Sequence, residues 1–218
     1  MNKLPISEIF LSIQGEGYHI GYPSTFIRVQ GCNLRCPWCD TKYTWEVKEE
    51  GYMYITDILN KVLEFKCPYV ILTGGEPLTI QDNLKELIIR LKEYLGVYID
   101  VETNGTIKLS NEFWQLVDHI TVSPKQNMTV DWFGDKKSYS NINKTHFKFV
   151  YDDDNMDFIE KVIMDMQLSK KQVVLMSKGT DRDELIEKDK KLVEICKKNG
   201  FTFSPRLQCY LWGNKRGV

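Results

Sequence analysis

From Ser24 to Phe203 the chain repeats one unit: a short β-forming segment, a polar loop bearing glycine or proline, then apolar residues at helical spacing. Ser24–Gln30, Tyr69–Leu72, Val97–Val101, His119–Val122, His146–Tyr151, Val173–Met176 and Phe201–Phe203 read as strands. Ile55–Phe65, Gln81–Leu95, Phe113–Val117, Phe158–Met166 and Asp183–Asn199 read as helices, with Gly96 and Gly200 closing two of them. Thr56, or a residue just before it, is the expected cap of the first helix. Strands joined through helical crossovers run parallel, so the repeat predicts an α/β fold around a parallel sheet. Its loops then gather on one sheet edge, where ligands bind in open and closed sheets alike. Periodicity alone does not separate an open sheet from a barrel. Ile6–Leu11 is an extended apolar stretch running into Gln14-Gly15-Glu16-Gly17. Residues 127–143 are polar and aromatic without a period, and read as an irregular insertion in a single domain spanning 1–218.

Composition narrows the function classes. At 218 residues, 42% hydrophobic and 27% charged, this is an ordinary soluble composition. A net charge of −1 makes no electrostatic case for nucleic acid or an anionic membrane. No apolar run approaches transmembrane length, and Met1–Pro5 has no signal-peptide core. Of six cysteines, Cys32, Cys36 and Cys39 cluster while Cys67, Cys196 and Cys209 scatter. That is no secreted disulfide framework, and it implies a reducing cytoplasm.

The three clustered cysteines follow the first strand directly, in Gly31-Cys32-Asn33-Leu34-Arg35-Cys36-Pro37-Trp38-Cys39-Asp40. Three thiolates in one loop suit a [4Fe-4S] cluster with one iron left without a protein ligand. That iron can chelate the amino and carboxylate groups of S-adenosylmethionine. The competing reading is a zinc site completed by a histidine, but His19, His119 and His146 stand at no short fixed spacing from the cysteines. Three later strands also end in polar loops. Gly74-Gly75-Glu76-Pro77 offers close backbone approach and one carboxylate, or is simply a strand-to-helix turn. Glu102-Thr103-Asn104-Gly105 offers side chains for ribose hydroxyls, or is an Asn-Gly turn. Ser123-Pro124-Lys125 reads as a turn with a solvated lysine.

The C-x3-C-x-W-C loop behind a strand, with Gly-Gly-Glu-Pro behind the next, resembles the radical S-adenosylmethionine superfamily. Adding Gln14-Gly15-Glu16-Gly17, Asp40-Thr41, Ser123-Pro124-Lys125 and the tail Trp212-Gly213-Asn214-Lys215-Arg216-Gly217, the chain resembles the 7-carboxy-7-deazaguanine synthases within it, from residue 8 onward. The resemblance implies a shortened, incompletely closed radical-SAM-type parallel β/α barrel. It implies that Cys32, Cys36 and Cys39 hold the cluster, and that Trp38, Asp40, Gly75, Glu76, Glu102, Asn104, Ser123 and Lys125 surround S-adenosylmethionine, its amino group at the Gly74–Pro77 stretch. Thr41 would ligate Mg²⁺, whose hard-oxygen chemistry suits sharing with substrate; otherwise Asp40 merely caps the loop.

The implied substrate is a flat carboxylated pterin. Ile13, Gln14, Gly15, Glu16, Arg28, Thr73, Gln208 and Val218 are its expected contacts. Gln14 and Glu16 would read the ring edge, and Arg28 would fork onto the carboxylate. Without the resemblance, a structural ion pair is an equal reading of Arg28. Relatives commonly carry a histidine near position 208. Gln208 could replace it only as a hydrogen-bonding amide, with no titratable role. Val218 would bring a terminal carboxylate to the site. The implied reaction converts 6-carboxy-5,6,7,8-tetrahydropterin to 7-carboxy-7-deazaguanine with loss of ammonia, on the way to queuosine. A 5′-deoxyadenosyl radical takes the C6 hydrogen. A flavodoxin or ferredoxin would supply the electron, and a homodimer is implied. The alternatives are a glycyl-radical-enzyme activating protein, which needs a docking groove for its partner, and a non-catalytic metal-binding module. Asp152-Asp153-Asp154-Asn155 lacks the pattern of a calcium loop and is expected to cap the next helix. Cys67, Cys196 and Cys209 are expected as small buried hydrophobes.

Overall fold

The computed structural model describes residues 2–126, 141, 143–213 and 215–218. The expected insertion thus lies almost wholly outside the described residues. The strands are β1 (Lys3–Ile13), β2 (Pro23–Val29), β3 (Tyr52–Tyr54), β4 (Tyr69–Gly74), β5 (Tyr98–Thr103), β6 (His119–Val122), β7 (Thr145–Tyr151), β8 (Val173–Ser177) and β9 (Thr202–Phe203). The described α-helices are α1 (Ile55–Phe65), α2 (Gln81–Leu95), α3 (Asn111–Leu116), α4 (Met156–Met166), α5 (Arg182–Asn199) and α6 (Leu207–Trp212), with short 3-10 turns between elements.

The nine strands form one sheet in the order β3-β1-β2-β4-β5-β6-β7-β8-β9, whose end strands do not pair with each other. From β2 to β9 every pairing is parallel. The departure from the expected sheet is at its start, where β1 runs antiparallel to both β2 and β3. The cause is connection length: residues 14–22 are too few for the crossover of about a dozen residues that a parallel pair needs.

Helix ends follow local chemistry. Gly96 and Gly200 close α2 and α5 at φ 61° and 72°. Asp181 caps α5 by accepting the Glu184 N–H at 3.0 Å. Thr56 lies inside α1, which has no side-chain cap. Asn155 occupies the cap position of α4, but its side chain turns back to Val150 O and the Asp152 N–H instead of capping the helix. Helix α6 was not anticipated; it is a short run inside a tail with no apolar period.

Period two along the strands divides the sheet into two faces. Ile27, Val29, Val70, Leu72, Ile99, Val101, Ile120, Val122, Phe147, Phe149, Val173 and Leu175 are buried and join one apolar core with α1, α2 and α4. At the alternate positions stand Arg28, Thr73, Asp100, Glu102, His119, Thr121, His146 and Lys148. A buried sheet face this polar requires paired charges, and those pairs build the site.

Candidate active site

The cluster loop springs from the end of β2 and is tied at its base: the Gly31 N–H donates to Thr44 O at 2.8 Å and the Cys32 N–H to Trp45 O at 3.2 Å. A turn closes between Cys36 and Cys39, with Cys39 N to Cys36 O at 3.0 Å. All three thiols are free and half-buried. The Leu34 N–H points at Cys32 Sγ from 3.4 Å. Burial pushes the Cys32 and Cys36 thiols above their ordinary range, and Lys125 opposes this at Cys36. The turn after β4 lies directly on this loop. Glu76 N donates to Gly31 O at 2.8 Å, and a Cβ at Gly75 would stand 2.2 Å from that same oxygen. Three unpaired sulfur donors in one tied loop fit an iron–sulfur cluster with an open iron. The histidines that zinc would need are elsewhere, gathered around Asp100.

Glu76 is wholly buried behind this contact and does not line the cavity. Its Oε1 accepts from Leu78 N at 3.0 Å and Thr103 Oγ1 at 2.7 Å, and its Oε2 from Asn104 N at 2.7 Å. Burial still pushes its carboxyl above the ordinary range. Glu76 thus holds the loop after β5, and Asn104 Nδ2 continues to Asn33 Oδ1 in the cluster loop at 3.1 Å. Glu102, one residue before Thr103, accepts from Thr73 Oγ1 at 2.9 Å and Gln14 Nε2 at 3.2 Å. Lys125 Nζ donates to Ser123 Oγ at 2.8 Å.

Glu16 is the centre of the opposite wall. Its Oε2 receives Lys148 Nζ at 2.7 Å, and its Oε1 receives Arg206 Nε at 2.9 Å and Gln208 Nε2 at 2.6 Å. Burial alone would raise its pKa, but Lys148 and Arg206 overcome this and hold it well below the carboxylate range. Both Glu16 oxygens are thus engaged by side chains of the chain itself. Arg206 reaches further, to Asp40 in the cluster loop and Gly179 O after β8. Gln208 packs on Gly15, whose carbonyl accepts the Leu207 N–H at 2.9 Å, and Gln208 Oε1 is buried without a partner among the described residues. Arg28 Nε lies 2.8 Å from Glu8 Oε1. Tyr43 and Arg216 donate to the two Glu8 oxygens, both at 2.7 Å.

One cavity of about 880 Å³ joins these walls. Cys32, Cys36, Trp38, Cys39, Asp40 and Thr41 line it from the cluster loop, and Ile13, Gln14, Gly15, Glu16 and Arg28 from the β1–β2 region. Thr73, Gly75, Glu102, Asn104, Ser123 and Lys125 line it from the strand ends, and Gln208 and Val218 from the tail. Lys148 and Arg206 were missed. A lone lysine between Phe147 and Phe149 in a strand was a usable signal; Arg206 carried none.

A model of the radical SAM superfamily matches residues 26–126, the stretch from β2 through Lys125. The 7-carboxy-7-deazaguanine synthase of Pyrobaculum aerophilum is 34% identical over 218 residues, covering 99% of this chain and 97% of that protein. The chain belongs to the 7-carboxy-7-deazaguanine synthase family. The synthase of Halobacterium salinarum is also 34% identical, covering 97% of this chain and 91% of the relative. In three dimensions, the crystal structure of QueE from Escherichia coli superposes with a TM-score of 0.73 at 25% identity, over 94% of each chain. Membership of this synthase family brings a [4Fe-4S] cluster and S-adenosylmethionine with it, because it lies within the radical SAM superfamily. Among the described residues no helix is long and apolar enough to cross a membrane.

Proposed function

We propose that this chain converts 6-carboxy-5,6,7,8-tetrahydropterin to 7-carboxy-7-deazaguanine with loss of ammonia, a carbon–nitrogen lyase step of queuosine biosynthesis. The observation that carries the reading is one shared cavity, in which three free cysteines face a buried, charge-paired wall of Gln14, Glu16, Lys148 and Arg206. A cavity of about 880 Å³ suits a small molecule and cofactor rather than a docked partner protein. That favours the synthase over a glycyl-radical activator.

Cys32, Cys36 and Cys39 would hold the cluster, which with bound S-adenosylmethionine supplies one-electron chemistry and a carbon-centred radical. Trp38, Asp40, Gly75, Glu102, Asn104, Ser123 and Lys125 would surround S-adenosylmethionine. Gly75 admits its amino group to the backbone, and Glu76 supports that turn from behind. On the substrate side, Ile13 and Gly15 would frame the ring, and Gln14 and Thr73 would hydrogen-bond it, both already oriented by Glu102. Gln208, which lines the cavity, would offer its amide to the ring. Glu16 orients Lys148, Arg206 and Gln208, while Arg28 would fork onto the substrate carboxylate and Val218, which lines the cavity, would be a further substrate contact. Thr41, beside Cys39 with Oγ1 3.5 Å from the sulfur, would give Mg²⁺ one oxygen, with substrate and water supplying the rest. Asp40 is engaged by Arg206 and so orients the loop instead. The chain would act as one cytoplasmic domain, as a homodimer, reduced by a flavodoxin or ferredoxin.

The test is anaerobic reconstitution with iron and sulfide, then addition of reductant, S-adenosylmethionine, Mg²⁺ and the carboxytetrahydropterin. Formation of carboxydeazaguanine is expected, and Cys36→Ala should lose the brown colour and the activity together. No product from protein with an intact cluster would overturn the proposal.

A further inference from the structure

The polar sheet face carries a second group of ligating side chains, outside the cavity. Asp100 on β5 pairs in register with His119 on β6, and Thr121 with His146 on β7. His19 arrives from the β1–β2 connection. His19 Nδ1 lies 3.0 Å from Asp100 Oδ2, and His119 Nδ1 lies 3.0 Å from Asp100 Oδ1. His119 Nε2 lies 2.8 Å from His146 Nδ1. Ligand atoms of His19, Asp100 and His119 all fall within 4.8 Å of one another. Asp100, His119 and His146 are buried, at 3%, 0% and 3% exposure.

This burial poses a charge problem. The ion-pair partners of Asp100 among the described residues are the two imidazoles, with no lysine or arginine in reach. A buried carboxylate held only by imidazoles calls for positive charge nearby, because burying a charge without compensation is costly. Two imidazole nitrogens and a carboxylate are the donors that zinc and its neighbours take, whereas Mg²⁺ and Ca²⁺ prefer an all-oxygen shell. His146 supplies what a ligating histidine usually has, a partner for its other ring nitrogen. Tyr18 stacks on His146 with ring centroids 3.8 Å apart and covers it.

We propose that His19, Asp100 and His119 form a binding site for a divalent transition metal of the zinc class, with His146 fixing the orientation of His119. Three protein ligands leave a fourth position for water. The metal staples the β1–β2 connection to the sheet. That connection is already closed on itself, with Gln14 N to Tyr22 O at 2.8 Å and Gly21 N to Gln14 O at 2.7 Å. Fixing His19 therefore fixes Gln14, Gly15 and Glu16 at the cavity wall.

The test uses holoenzyme, so that iron already occupies the cysteines. Zinc is added anaerobically, excess is removed by gel filtration, and metal content and zinc K-edge absorption are measured. About one zinc per chain is expected beyond the cluster iron, with a nitrogen and oxygen shell at roughly 2.0–2.1 Å. His19→Ala, on the connection rather than in the sheet, should cut retained zinc more than tenfold with iron content unchanged. Asp100→Asn should do the same. The proposal is overturned if wild-type holoenzyme retains no zinc, if the zinc shell is sulfur at ~2.3 Å, or if His19→Ala and Asp100→Asn retain as much as wild type. The wild-type stoichiometry and shell decide the matter even if one variant fails to fold.

Discussion

Gly75→Ala tests whether contact between the β4 turn and the cluster loop sets the positions of the cysteines. The new Cβ would lie 2.2 Å from Gly31 O, 2.6 Å from Gly31 C and 2.9 Å from Cys32 Cβ. Ordinary contact begins near 3.4 Å, so the two loops must part by about 1.2 Å. The obstruction is backbone and has no rotamer to escape into. Parting the loops also stretches the 2.8 Å bond from Glu76 N to Gly31 O. Overpacking of this kind costs about 1–3 kcal/mol, or ~2–12 °C in Tm for a chain this long.

Function should suffer more than stability, since a misplacement of about 1 Å costs on the order of 100-fold in rate. The variant is reconstituted anaerobically and compared with wild type for iron and sulfide content, S-adenosylmethionine affinity, kcat/KM and Tm. A fall of about 100-fold in kcat/KM with a modest loss of Tm is expected. Wild-type iron content, cofactor affinity and rate in Gly75→Ala would refute the argument that this glycine registers the loop.

Glu16→Gln keeps the shape but removes the charge that Lys148 and Arg206 share, leaving Lys148 with Glu102 at 3.6 Å and Arg206 with Asp40. Loss of about 1–3 kcal/mol is expected in urea denaturation, and Arg206→Met in the same background should add less than it does alone; additive losses would contradict a shared network. Glu76→Gln turns an amide NH2 toward one of the three donors that converge on the carboxylate, Leu78 N, Thr103 Oγ1 and Asn104 N. A cost of about 1–3 kcal/mol should follow, and an unchanged Tm would show that the loop after β5 is held by other means. Glu8 supplies the pH dependence. Burial raises its pKa, but hydrogen bonds from Tyr43 and Arg216 and the charge of Arg28 leave it below the ordinary 4.5. Because the folded value is depressed, its stabilisation is full above 4.5 and fades as pH falls through the lower folded value. The difference in urea midpoint between wild type and Glu8→Gln should therefore shrink from pH 7 to pH values below 4.5; a constant difference would remove Glu8 from the titration.

How much of this was legible depends on whether a residue's signal is local. The crossovers and the cysteine loop were readable, because helical period, strand alternation and sulfur spacing all lie within a few residues. The antiparallel β1 was also within reach, since residues 14–22 are too short for a crossover. Glu76 was placed in the right loop but on its far side. Its orientation depends on donors from Thr103 and Asn104, which are distant in sequence. Arg206 was invisible for the same reason, since it takes its meaning from Glu16, 190 residues away; Lys148 stood out as a charge between two phenylalanines, but its partner Glu16 lies 132 residues away. Helix α6 is too short to show a period.

The two walls of the cavity are therefore built on different principles. On the cofactor side, backbone lies on backbone, and glycine at position 75 is needed because there is no room for anything else. On the substrate side the chain spends buried charges, and among the described residues Glu16 is the only group in contact with Lys148, Arg206 and Gln208 together. Arg206 joins the two walls by bridging Glu16 to Asp40 in the cluster loop. A shift of the substrate wall is thus felt at the cysteines through one guanidinium, whose two charged partners it holds at fixed angles as lysine could not. Arg206→Lys keeps the charge but loses that fork, so it should lower kcat/KM while leaving cluster content intact. Equal rates for Arg206→Lys and wild type would mean that the walls are aligned by the backbone alone.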